Sequence, residues 1–162
     1  MKKIGVITFH RSHSYGACLQ AYATVEFLNA NGYDSELIDY TNNYEQRFTK
    51  AIYKESSHWS SYLTTFIKNW LLGKKYYARK AFGSPEKRYP MSTGRYTSLS
   101  QLQDVTYDVL IVGSDQVWSP RITNGLDKAF LLQFGNAQKR ISVSSSLGSV
   151  DLTEKELSDF RE

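Results

Sequence analysis

Asp108-Val109-Leu110-Ile111-Val112-Gly113-Ser114-Asp115-Gln116-Val117-Trp118 splits into an apolar half and a polar half. Residues 108–112 read as a strand, with an unbroken apolar run from Val109 to Val112. Such a run suits a strand covered on both faces, as parallel strands are. Gly113 is expected to stop that strand, and Ser114, Asp115 and Gln116 follow at once, with Trp118 as a flat surface beside them. In open α/β sheets, ligands bind just beyond the carboxyl ends of the strands. One stretch therefore proposes both a fold and a site.

The N-terminus supplies the partner strands. Lys3 to Phe9 reads as a first strand and the polar residues His10 to Tyr15 as a loop. From Gly16 a helical pattern sets in, with Ala17, Ala21, Val25 and Leu28 on one face and Cys18 and Tyr22 beside them. Asn31-Gly32 ends that helix, and Ser35 to Tyr40 reads as a second strand. This is the size of a right-handed βαβ unit. Gly94 to Ser100 reads as loop, with short helical turns near Leu99 to Asp104 and Asp127 to Leu132. Arg140 to Ser145 is the fourth strand, and Asp151 to Glu162 begins a helix capped by Asp151 or Thr153. The expected sheet order of these four strands is 2-1-3-4, which sets the loops His10–Gly16 and Ser114–Trp118 side by side. A half-made helix after a fourth strand gives an interrupted look, the pattern expected of a truncated domain.

The middle of the chain has a different character. Trp59, Leu63, Phe66, Ile67, Trp70 and Leu71 recur at helical spacing, an apolar stripe that packs on the core or on a second copy of the chain. The helix extends towards Phe82, with Gly83-Ser84-Pro85 as its stop. From Lys68 to Arg95 there are eight Lys or Arg and one acid, Glu86. That run suits either a solvated helix face or the attraction of phosphates, acidic glycans or a lipid surface. No nucleic-acid-binding signature accompanies it, so nucleic acid is not an expected partner.

The 162 residues suffice for one domain with a real core. A composition of 41% hydrophobic and 22% charged residues is globular, and twelve Tyr with three Trp fit sugar sites, interfaces or cores alike. The single cysteine, Cys18, excludes an internal disulfide and points to a reducing, cytoplasmic setting. No apolar stretch reaches the roughly 20 residues that span a bilayer.

Three loops carry side chains capable of chemistry. His10-Arg11-Ser12-His13-Ser14-Tyr15-Gly16 leads into a helix N-terminus, where backbone N–H groups and Arg11 suit a phosphate or carboxylate and His10 and His13 could move protons. The alternative is a plain connection. The loop has neither the dinucleotide nor the P-loop glycine pattern. Asp39 stands where a ribose-binding acid would, an isolated signal. Asp115 either accepts a proton from, or holds, a sugar hydroxyl, or it caps the next helical turn. Ser144-Ser145-Ser146-Leu147-Gly148 offers hydroxyls for a ligand and a tight turn, but no G-x-S-x-G elbow. Cys18 lacks a partner base and reads as a small buried hydrophobe, and metal-ligand spacings are missing.

Read jointly, Lys3–Phe9, Tyr15-Gly16-Ala17 with Leu19-Gln20-Ala21-Tyr22-Ala23, Ile38-Asp39-Tyr40, Val112-Gly113-Ser114-Asp115-Gln116-Val117-Trp118, and Lys139-Arg140-Ile141-Ser142 with Ser145-Ser146-Leu147-Gly148 form a recognisable series. It resembles the N-terminal part of the polysaccharide pyruvyl transferase family. Two positions depart from the usual pattern: Ser14 stands where Asn commonly precedes Tyr-Gly, and Ser144-Ser145 replaces a small, Ala-rich pair.

The resemblance implies a Rossmann-like parallel sheet that is one half of a glycosyltransferase-B-like enzyme of two domains. In that reading residues 1–162 are the N-terminal domain, with a helical insertion at about 42–105. It implies a bacterial transferase of exopolysaccharide synthesis that moves a pyruvyl group from phosphoenolpyruvate onto two sugar hydroxyls, forming a ketal without a further cofactor. The acceptor is a saccharide or lipid-linked sugar, met in the cytoplasm or at the inner face of the membrane. Asp115 is the expected catalytic residue. His10, Arg11, His13, Tyr15, Gly16, Ser114, Gln116, Trp118, Ser145 and Ser146 are the expected substrate contacts, with no metal ligands. The donor-binding basic residues and the principal acid are expected in the second half, and the isolated chain is expected to be inactive. The rival functions are a non-catalytic domain binding an acidic glycan or a protein, and half of a sugar-nucleotide glycosyltransferase.

Overall fold

The computed structural model describes residues 1–12, 14–42, 44, 89–149 and 151–161. His13, the stripe of Trp59, Leu63, Phe66 and Trp70, and the basic residues from Lys68 to Arg88 lie outside the described residues. The elements are β1 (Lys3–Ile7), α1 (Tyr15–Ala30), β2 (Asp34–Tyr40), β3 (Met91–Tyr96), a 3-10 turn (Leu99–Leu102), β4 (Thr106–Asp115), α2 (Pro120–Thr123), β5 (Asn136–Ser145) and α3 (Glu154–Arg161). The strands form one sheet in the order β3-β2-β1-β4-β5. Every pairing is parallel. This is an open α/β sheet, and the four strands read from the sequence keep their expected relative order.

Alternation along the strands builds two cores, one on each face. Ile4 and Val6 of β1, Leu37 of β2 and Val109 and Ile111 of β4 pack with Ala21 and Val25 of α1. Ile7, Ile38, Leu110 and Val112 point the other way, towards Val117, Ala129 and Phe130 from the chain after β4. The central strands are thus apolar on both sides, which is why 109–112 shows no polar interruption. Gly5 is needed for packing: a Cβ there would stand 2.8 Å from Ile38 Cδ1 and 2.9 Å from the Tyr107 ring.

Two expectations need correction. Gly94, expected in a loop, lies within β3, whose half-exposed residues Met-Ser-Thr-Gly-Arg-Tyr show no apolar alternation. Backbone pairing holds that edge strand, with Asp39 opposite Arg95 and Tyr40 opposite Tyr96. Gly113 does not end β4; the ladder continues through Gly113 opposite Val143 to Asp115 opposite Ser145. Glycine tolerates the φ of 109° found at this position, so the strand turns without losing its partner.

The helix ends follow their local chemistry. Ser14 Oγ accepts the Ala17 N–H at 3.5 Å, and Gly32 has φ 82° just past the end of α1. Of the two caps expected for α3, Thr153 takes the role. Its N–H donates to Glu156 Oε2 at 2.9 Å while its Oγ1 accepts the Glu156 N–H at 3.3 Å. The Thr153 N–H and the Thr153 hydroxyl, which donates to the same Oε2 at 2.8 Å, draw the Glu156 carboxyl below its ordinary value. Among the described residues no helix is long and apolar enough to cross a membrane.

Candidate functional site

The chain leaves β1 towards α1 on one face and leaves β4 towards Val117–Phe134 on the other. Because β1 and β4 are neighbours, their carboxyl ends open a crevice where the two connections diverge. The buried Thr8 hydroxyl spans this point and donates to the Ser114 carbonyl oxygen at 3.0 Å. The loops His10–Gly16 and Ser114–Trp118 therefore meet at one edge.

Asp115 stands at the lip of that crevice, half-buried, with φ 124°. L-residues avoid this conformation at a cost of order 1–3 kcal/mol, and such strain collects at functional sites. It is held by β5 and the residue after it: Gly113 and Asp115 pair with that strand, and the Asp115 carbonyl oxygen accepts the Ser146 N–H at 3.0 Å. Oδ1 accepts the N–H of Gln116 at 2.7 Å. The Oδ2 atom takes no hydrogen bond among the described residues. Asp115 is not the cap of α2, a position held by Ser119.

Beneath the crevice lies a buried charge cluster. His10 is 0% exposed, with Nδ1 2.9 Å from the Thr8 carbonyl oxygen and Nε2 3.1 Å from Asp39 Oδ1. Both ring nitrogens face oxygen atoms of neighbouring residues. Arg11 grips the same carboxylate with two bonds, Nε to Oδ1 at 2.5 Å and Nη2 to Oδ2 at 2.6 Å. Burial alone would raise the Asp39 carboxyl, but the hydrogen bonds from Arg11 and His10 outweigh it and hold the group well below the usual carboxylate range. His10 has no surface for a ligand, and Arg11 has two donors committed to Asp39. Both brace the end of β1 against the end of β2.

The remaining candidates divide between exposed and engaged. Tyr15 is 72% exposed, and Gly16 is exposed beside it at the N-terminus of α1. The Cys18 thiol is turned inward, donating to the Ser12 carbonyl oxygen at 3.3 Å. Gln116 is exposed and lies over Gly148, where an added Cβ would stand 2.6 Å from Gln116 Oε1. Ser146 faces solvent while its backbone holds Asp115 and Trp118, whose N–H donates to the Ser146 carbonyl oxygen at 3.2 Å. Ser145 Oγ is spent on the Val112 carbonyl oxygen at 3.2 Å. The Trp118 indole donates to the Phe130 carbonyl oxygen at 2.9 Å and meets Phe160 edge-on at 5.2 Å. It walls a cavity of about 640 Å³ with Phe130, Phe134 and Arg140. Among the described residues, no three His, Cys, Asp or Glu side chains gather into a metal-binding group.

The model of the family described as polysaccharide pyruvyl transferase matches residues 15–162, from the first residue of α1 through the crevice and β5. The chain belongs to the polysaccharide pyruvyl transferase family. Comparisons with curated proteins and with solved structures returned no match. In this polysaccharide pyruvyl transferase family member the match includes Asp115, Gln116 and Ser146 but begins after His10 and Arg11. Sequence reasoning missed Thr8, a polar residue closing an apolar strand, and missed that Asp39 would be the acceptor for both His10 and Arg11. A polar residue at a strand's carboxyl end was the available signal in each case.

Proposed function

We propose that this chain forms the N-terminal wall of an enzyme that transfers a pyruvyl group from phosphoenolpyruvate to two hydroxyls of a saccharide. Asp115 carries this reading. Its carboxylate stands at the crevice lip with one oxygen held by the Gln116 N–H and the other facing no donor among the described residues. A carboxylate so placed is suited to accept a proton from an attacking hydroxyl.

In the reaction, a proton added to the methylene carbon of phosphoenolpyruvate leaves the neighbouring carbon electrophilic. The first sugar hydroxyl attacks it, phosphate departs, and the second hydroxyl closes the ketal. The two hydroxyl protons end on the new methyl group and on the phosphate. Asp115 takes the proton of an attacking hydroxyl, while Ser114, Gln116 and Ser146 hold the diol. Tyr15 and Gly16, at the positive end of α1, face the donor's anionic groups. His10 and Arg11 act indirectly, by fixing Asp39 and the end of β1.

The protonating acid and the cations for the donor are assigned to a second domain, in a glycosyltransferase-B-like arrangement. The bare flank of β5, where Ile141 is 41% and Val143 47% exposed, supports a further layer on that side. Incubating the two-domain enzyme with phosphoenolpyruvate and a panel of saccharides tests the proposal. A new ketal methyl singlet by proton NMR, with stoichiometric phosphate release, is expected. Phosphate release without a ketal, or neither product, would refute it.

A further inference from the structure

A second cavity opens at the same carboxyl edge of the sheet, on the β2 side. It measures about 360 Å³ and is lined by Asn42, Tyr44, Leu99, Asn124, Asp127 and Lys128, among others. Asn42 comes two residues after β2, and Asn124 directly follows α2, which itself follows the Asp115 loop. The volume falls within the range of small-molecule sites.

Asp127 is fixed before any ligand arrives. Its Oδ2 accepts from the Tyr40 hydroxyl and from Asn42 Nδ2, each at 2.8 Å, and its Oδ1 accepts the Ala129 N–H at 2.9 Å. A carboxylate offers about four acceptor positions, so these three bonds leave room for one more donor. Asn42 Nδ2 also reaches the Thr123 carbonyl oxygen at 3.3 Å, tying the end of β2 to α2. The side chains of Asn124 and Lys128 make no hydrogen bond or ion pair among the described residues. Asn124 is held in the left-handed conformation, φ 63° and ψ 61°.

The chemistry selects the ligand. One carboxylate and one ammonium give the lining no net charge, and the fixed carboxylate repels a phosphate. The Asn124 carboxamide, the Asp127 carboxylate and the Lys128 ammonium supply donors and acceptors for hydroxyl groups. Leu99 and Leu126 supply apolar surface for the C–H face of a ring. We infer that this pocket is a subsite for one neutral sugar ring. Resting on the proposed pyruvyl transfer, it makes the acceptor an oligosaccharide, one unit seated here while another meets Asp115.

The test is a binding experiment that needs neither phosphoenolpyruvate nor turnover, so its failure would leave the transfer reading standing. The ¹⁵N-labelled chain is titrated with cellobiose, lactose and chitobiose, and separately with inorganic phosphate. At least one disaccharide is expected to shift the Gly125, Leu126 and Lys128 amides saturably, while phosphate leaves them in place. Lys128→Ala, at an exposed position, and Asn124→Ala should each weaken binding at least tenfold with the rest of the spectrum unchanged. No saturable shift with any of the three sugars, shifts produced by phosphate, or undiminished binding in Lys128→Ala would overturn the inference.

Discussion

The Thr8 hydroxyl donates to the Ser114 carbonyl oxygen at 3.0 Å, joining the end of β1 to the residue before Asp115. Thr8 is completely buried and Ser114 half-buried, so this bond is largely out of water. Thr8→Val keeps the shape and leaves the Ser114 carbonyl unpaired, which costs roughly 1–3 kcal/mol. In urea unfolding the variant should lose about that much stability. In the proposed two-domain enzyme it should lower kcat more than it raises KM, because Asp115 loses its fixed position. Wild-type stability and kinetics in the variant would show that the contact positions nothing.

Asp39 should be among the most sensitive residues of the domain. Asp39→Asn leaves the Arg11 guanidinium and the buried His10 without their shared carboxylate, a change worth about 3–5 kcal/mol. The pH dependence follows from the lowered carboxyl. An unfolded Asp titrates near 3.9, and the folded group lies below that, so its contribution is fully present above about pH 4. It is lost as pH falls through the folded value. Denaturant unfolding at pH 5 should show the full gap between wild type and variant, and the gap should narrow in stronger acid. Equal stability at pH 5 would remove the cluster from the account.

Gly113→Ala tests why β4 can turn without ending. An Ala Cβ would lie against the Val143 carbonyl oxygen and 2.6 Å from Ser145 Oγ, at a φ of 109°. The backbone conformation alone costs roughly 1–3 kcal/mol, and the backbone contact adds to it. Thermal unfolding should show a clear fall in Tm, whereas an unchanged Tm would mean that the ladder beyond Val112 is not maintained.

These sites also mark how far the sequence could be read. Apolar runs 4–7 and 109–112 declared the central strands because both faces are covered, and glycine after asparagine declared the end of α1. Edge strand β3 was illegible, since backbone bonds to β2 hold it while its side chains stay half-exposed. The polar run 114–116 lies, as read, at the carboxyl end of β4. What it could not reveal was division of labour. Nothing in His10-Arg11 tells that one is sealed and the other clamped, because both depend on Asp39, 28 and 29 residues away. The pocket at Asp127 was equally hidden, being assembled from the ends of β2 and α2 that only the fold brings together.

The kinetic effect of Asp115→Asn tests the central claim most directly. The amide keeps the shape of the side chain and its acceptor oxygen for the Gln116 N–H, but cannot take a proton. In the proposed two-domain enzyme, supplied with the proposed donor phosphoenolpyruvate and a saccharide acceptor, ketal formation should fall by roughly 10²–10⁴-fold while Tm stays close to wild type. Ketal formation at the wild-type rate in a correctly folded Asn variant would contradict the account and leave Asp115 as a residue that merely shapes its loop.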